Sequence, residues 1–138
     1  MPLLTRWYIK CALLYLTAAL LIGVGAAVPG SWQPGSFFAR LRPVYFHLFL
    51  VGWVTLFIIG VANWLFPRAS RQHFNHHPAL AWTAFSLLNT GLILRVFLEP
   101  IPSATAAWIG WGLALSAVLQ WSGGVLAILQ LGRRVRQA

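Results

Sequence analysis

Acid is almost missing from these 138 residues: Glu99 is the one carboxylate, set against ten Lys and Arg, and the formal net charge is +9. No Asp or Glu lies within an apolar run, where a proton-coupled exporter would carry one. No nucleophile–base pair and no phosphate-cradling loop is present, so hydrolytic chemistry has no foothold. Cysteine is reduced to Cys11, which excludes an internal disulfide and reads as a small apolar packing residue. Short alternating strands separated by turns are also lacking, which excludes a β-barrel. Polar side chains are too few to cover a soluble domain of this length.

What remains is apolar and aromatic, with eight Trp and 59% hydrophobic residues. Four continuous runs of bilayer-spanning length predict helices over about 7–28, 42–66, 78–98 and 104–131, in a single transmembrane domain 1–138. The expected fold is all-α: an integral membrane four-helix antiparallel bundle with short loops. The run from Cys11 to Val28 follows Arg6 and Lys10 and carries Gly25 and Ala27, as a signal peptide would. It is longer than the ~7–15-residue core of such signals, so it reads as the first membrane helix. Pro29-Gly30 ends it, Pro43 sits near the first turn of the second helix, and Pro78 opens the third. Pro100 and Pro102 close the third.

The positive charge suggests nucleic acid at first sight, but it forms no motif and sits at the ends of the apolar runs, so no nucleic-acid partner is expected. Arg6, Lys10, Arg68, Arg71, Arg133, Arg134 and Arg136 fall on one side, and Arg40, Arg42 and Arg95 on the other. By the positive-inside rule both termini are cytoplasmic. The bias of Arg over Lys points to a GC-rich bacterial genome, and the expected location is a bacterial inner (cytoplasmic) membrane.

His47 is the one histidine inside an apolar segment, among Phe46, Leu48 and Leu50. A dry bundle penalises an imidazole that lacks a partner. Two readings stand: an axial ligand to heme iron, or a histidine hydrogen-bonded to a Ser, Thr or carbonyl of a neighbouring helix. Arg95, four residues before Glu99, shares the depth of His47 in this topology. Propionates of a heme on His47 would then meet Arg95, Arg40 or Arg42, and Gly91, one turn from Arg95, would leave room for a flat ring. Arg95 alone equally reads as snorkelling to the interface or pairing with Glu99 at i+4. No CxxCH pattern occurs, so any heme is a non-covalent heme b.

A second candidate is the basic loop with His73, His76 and His77, three imidazoles within five residues. These suit a first-row metal, or simply a polar interfacial loop. From His47 to Phe66 the helix rises roughly 28 Å, so they do not supply a second ligand to iron at His47. That ligand comes from another chain or a weak group, or the position is open. Asn63, Ser86, Asn89, Thr90, Ser116 and Gln120 read as interhelical hydrogen-bonding groups.

The stretch HLFLVGWVTLFIIGVANWLFPR, beginning at His47, resembles the second-helix region of heme-copper oxidase subunit I, in the branch of cbb3-type oxidases and nitric oxide reductases. It is closer to small four-helix membrane proteins grouped with that superfamily, which LLNTGLILRVFLEP (87–100) resembles too. The frame is His47, the Gly52-Trp53 pair and Phe66-Pro67-Arg68, and the likeness covers about half the chain. It implies that His47 ligates a heme, with Trp53 among the residues around it. A complete subunit I has about a dozen helices and further intramembrane histidines for a second heme and copper; here there are none, so the chain alone is not an oxidase. The expected function is a heme b-binding membrane protein, a homodimer acting in electron transfer or in binding or sensing nitric oxide or oxygen, with a possible respiratory-chain partner. The alternative is a cofactor-free scaffold or accessory subunit of a respiratory complex.

Overall fold

The structure, a computed structural model, describes residues 1–30, 33–65, 78–101 and 106–135. These form four helices and, among the described residues, no strand: α1 (Leu3–Ala26), α2 (Phe37–Leu65), α3 (Pro78–Leu98) and α4 (Ala107–Val135). All four are long and apolar enough to cross a bilayer. The described residues are thus all-helical, with the length and apolar character a bilayer requires.

The ends of the helices follow local chemistry. α1 starts at Leu3 rather than at 7, taking in Arg6 and Lys10. A long basic stem lies along a helix without breaking it, and Lys10 Nζ sits 5.9 Å from the Trp7 ring centroid. α2 starts at Phe37 rather than at 42 because Ser36 caps it, its Oγ accepting from the Ala39 N–H at 3.1 Å. Pro43 consequently falls inside the helix and not in its first turn. α3 runs over 78–98 as expected, and α4 continues to Val135. The expected start of that last helix, at 104, lies outside the described residues.

One feature of α2 was not expected. From Leu48 to Thr55 it winds as a π-helix before returning to α geometry over Leu56–Leu65. Thr55 marks the wider turn, its Oγ1 donating to the Leu50 carbonyl five residues back at 2.9 Å.

Packing inverts the soluble pattern. Much of the interior is small, with Ala12, Ala19, Ala84 and Ala127 buried, while Leu21, Val24, Leu65, Phe97, Trp111, Trp121 and Ile128 are exposed. Large apolar side chains facing outward are at home in lipid, and small ones inside let helices approach closely. One buried cluster joins all four helices through Tyr8, Ala12, Leu56, Ile59, Ala84, Leu88 and Ala127; a second joins α1, α2 and α3 through Ala19, Val44, Leu48 and Leu92. The most extensive contacts are α3 with α4 and α1 with α2. At the α3–α4 contact Gly123 faces Leu88 and Ala84, and a Cβ there would meet the Leu88 N at 3.0 Å.

Polar links cross between the pairs. Tyr15 Oη donates to Asn89 Oδ1 at 2.8 Å, joining α1 to α3. Gln130 Nε2 donates to Asn63 Oδ1 at 3.1 Å, joining α4 to α2. By contrast Tyr8 Oη is buried with no hydrogen-bond partner among the described residues. The same substitution at the two tyrosines should therefore have opposite signs. Tyr15→Phe is expected to lower stability by about 0.6 kcal/mol, the average for an interhelical hydrogen bond in a membrane protein. Tyr8→Phe is expected to raise it by about 1 kcal/mol, because it removes a desolvated hydroxyl that gains nothing. Denaturant titration in detergent reads both, and equal shifts would refute the assignment of partners.

Candidate functional site

His47, Glu99, Arg95 and Ser116 meet where α2 approaches the end of α3. Two features put them there. The backbone N–H of Glu99 bonds to the Arg95 carbonyl at 2.9 Å, continuing the last turn of α3 so that Glu99 sits one turn above Arg95. His47 is the last residue of α2 before the π stretch.

The imidazole is held through one nitrogen. His47 Nδ1 lies 2.9 Å from the Pro43 carbonyl oxygen and 3.5 Å from Glu99 Oε2. A carbonyl oxygen only accepts, so the short contact assigns the ring proton to Nδ1. In the neutral ring that leaves the lone pair on Nε2, which has no partner among the described residues. The His47 side chain is 29% exposed and Glu99 13%, so the ring reaches the surface of the packed helices while the carboxylate is largely enclosed.

Glu99 divides its oxygens. Oε1 accepts from Arg95 Nη1 at 3.3 Å, whereas Oε2 is buried, faces Nδ1 and makes no hydrogen bond among the described residues. Arg95 turns its Nε toward Ser116 Oγ at 3.3 Å. Ser116, fully buried, donates to the Gly91 carbonyl at 2.7 Å and accepts from Gln120 Nε2 at 3.1 Å. A chain of polar contacts thus runs from α2 through α3 into α4. A charged pair at this depth needs such a chain, because each group left without a partner would carry its full desolvation cost.

The structure brings together three of the residues singled out from the sequence. His47 and Arg95 are joined through Glu99, and Gly91 lies beneath them. The role expected of Gly91 is overturned: the space its missing side chain leaves is filled by Gln120 Cγ and the Ser116 carbonyl, each 2.9 Å from a Cβ placed there, so it admits α4 and not a flat ring. Arg95 makes the i+4 pair with Glu99 that was one of its two readings. Arg40 and Arg42 stay on exposed positions of α2. Trp53 turns inward, its ring edge-on to Phe49 at 4.8 Å and packed on the cluster around Tyr8 and Leu56. His73, His76 and His77 lie outside the described residues; among the described ones no three metal-ligating side chains gather.

Two contributors escaped the sequence. Glu99 was read only as a partner of Arg95, although its standing as the one acid in the chain was a usable signal. The π stretch gave none. Comparison with protein-family models, with curated proteins and with solved structures finds no match for this chain.

Proposed function

We propose that the chain is a heme b-binding membrane protein in which His47 Nε2 is the axial iron ligand, inserted as an antiparallel bundle with both termini cytoplasmic. The observation that carries this reading is the state of His47: the Pro43 carbonyl holds the proton on Nδ1, and the other nitrogen, bearing the lone pair, has no partner among the described residues at a partly exposed position. That is the arrangement a metal-bound imidazole takes, with its far N–H donated to a carbonyl or carboxylate.

The residues around His47 suit such a group on one side only. With the space at Gly91 taken, a ring has no room between α3 and α4. Phe46 and Leu50, 48% and 53% exposed on the same helix, offer apolar cover, and Arg40 and Arg42 supply positive charge for propionates. Arg95 is already committed to Glu99 and Ser116. A site on the outer face of the helices favours a homodimer, in which a second His47 completes the coordination. Bound heme supplies one-electron redox chemistry or, with one position open, a site for nitric oxide or oxygen.

The visible spectrum of the detergent-purified protein, oxidised and reduced, tests this against His47→Ala. A Soret band near one heme per chain or per dimer, absent in the variant, is the expected result. Added nitric oxide that leaves a six-coordinate spectrum unchanged would assign electron transfer over gas binding. No band after heme is added back would sink the proposal. A second reading, a cofactor-free accessory subunit, would then lead; the filled space at Gly91 favours it, and co-purification of a stoichiometric partner without a Soret band would support it.

A further inference from the structure

The one carboxylate of the chain faces the one nitrogen of His47 that a ligand does not need. Glu99 Oε2 is buried, has no hydrogen bond among the described residues, and lies 3.5 Å from Nδ1, while the Pro43 carbonyl takes the Nδ1 proton at 2.9 Å. Arg95 engages the other oxygen, Oε1, so it orients the carboxylate without covering the oxygen that faces the ring. Enclosed negative charge beside an N–H does two things. It favours the tautomer with the proton on Nδ1, and it pushes electron density toward Nε2.

We propose that Glu99 is the positioning residue of His47, a buried carboxylate facing the Nδ1–H that fixes the ring and makes Nε2 a stronger donor to a metal. This rests on the heme reading of His47. The geometry gives the contact a clear division of labour: Pro43 belongs to the same helix as His47 and moves with it, whereas Glu99 belongs to α3. Ring orientation is therefore tied to the packing of α3 against α2, and α4 enters through the contact of Arg95 with Ser116. A displacement of α3 would reach the metal through Nδ1 without touching the metal itself.

The test compares the full-length protein with Glu99→Gln, with His47→Gly supplied with free imidazole, and with the double variant. Heme affinity and midpoint potential are the readouts. Glu99→Gln is expected to weaken heme binding about 10–100-fold, the usual effect of losing such a partner. It is also expected to raise the midpoint potential, since less charge reaches the iron. In the His47→Gly protein with imidazole, where no tethered ring remains to be oriented, Glu99→Gln is expected to weaken heme binding less, because only its electronic effect on the ring remains. Wild-type affinity and potential in Glu99→Gln would overturn the proposal, as would an equal loss in both backgrounds, which marks a purely structural carboxylate.

Should Glu99→Gln leave Arg95 as an uncompensated cation and fail to fold, the same cycle is run with Arg95→Gln added to every protein. Nitrogen resonances of the His47 ring in heme-free protein separate the positioning of the ring from the binding of heme. Ring resonances that move in Glu99→Gln support positioning even where no heme binds. Unchanged resonances overturn it even where heme does bind.

Discussion

On the heme reading proposed for His47, deletion of Val51 is expected to weaken heme binding while leaving the helix content almost intact. Val51 lies within the π stretch, where each turn holds one residue more than an α-turn. Removing one residue lets the helix close into regular α geometry, at no loss of helical backbone. The register, however, changes. Because a π stretch turns less per residue than an α-helix, closing it with one residue fewer cancels much of the about 100° that one α residue carries, and the segment before the deletion turns by roughly a few tens of degrees against the segment after it. The later segment is anchored by Leu56 and Ile59 in the four-helix cluster and by the bond from Gln130 to Asn63. The rotation therefore falls on the earlier segment and carries His47 away from Glu99. Far-UV circular dichroism and the Soret band read the two halves of the expectation. An undiminished Soret band with unchanged helix content would show that the π stretch does not aim His47.

The second large effect separates two adjacent glycines. Gly123→Leu is expected to cost about 3 kcal/mol or more, and Gly124→Leu almost nothing. A Cβ at Gly123 would stand 2.9 Å from Leu88 Cγ, 3.0 Å from the Leu88 N and 3.1 Å from the Ala84 carbonyl oxygen. Two of those atoms are backbone and do not move aside, so α3 and α4 must separate. Overpacking of this kind costs about 1–3 kcal/mol even where side chains alone must shift. At Gly124 nothing lies within 4 Å of the added carbon, and a leucine there meets lipid. Thermal unfolding of the two variants in one detergent is the measurement. Equal losses would mean that α3 and α4 do not meet through Gly123.

Much of this architecture was legible in the residues because a membrane makes hydrophobicity nearly sufficient. The run ending at Leu98 was visible as an apolar stretch stopped by Pro100, whereas the first helix ends at Ala26 rather than at 28. Asn63, Asn89 and Ser116 were correctly read as polar groups between helices, whereas Gln120 bonds to Ser116 of its own helix. The start of α2 was misplaced by five residues, since Pro43 looked like a first-turn proline and the capping oxygen of Ser36 was not weighed against it. The π stretch had no local signature: LFLVGWVT reads as ordinary apolar helix, and its winding depends on what it packs against. The site was half visible. Arg95 and Glu99 declare themselves at i+4, but the approach of Glu99 to His47 depends on how α3 lies against α2, which spacing along one helix does not encode. Gly91 was noticed for its smallness and given the wrong neighbour, because a glycine says that something comes close and not what.

The unequal sharing of contacts among the helices bears on how the chain is put together. α1 with α2, and α3 with α4, are neighbours in sequence as well as in space, so each couple can close as soon as it is inserted. What brings the couples into the correct mutual alignment is different in kind. Lipid-exposed apolar faces have little preference for one another, whereas the meetings of Tyr15 with Asn89, of Gln130 with Asn63 and of Glu99 with His47 each require one register and no other. The imidazole thus sits on the seam between the two couples, and its setting depends on how the two halves of the molecule are aligned.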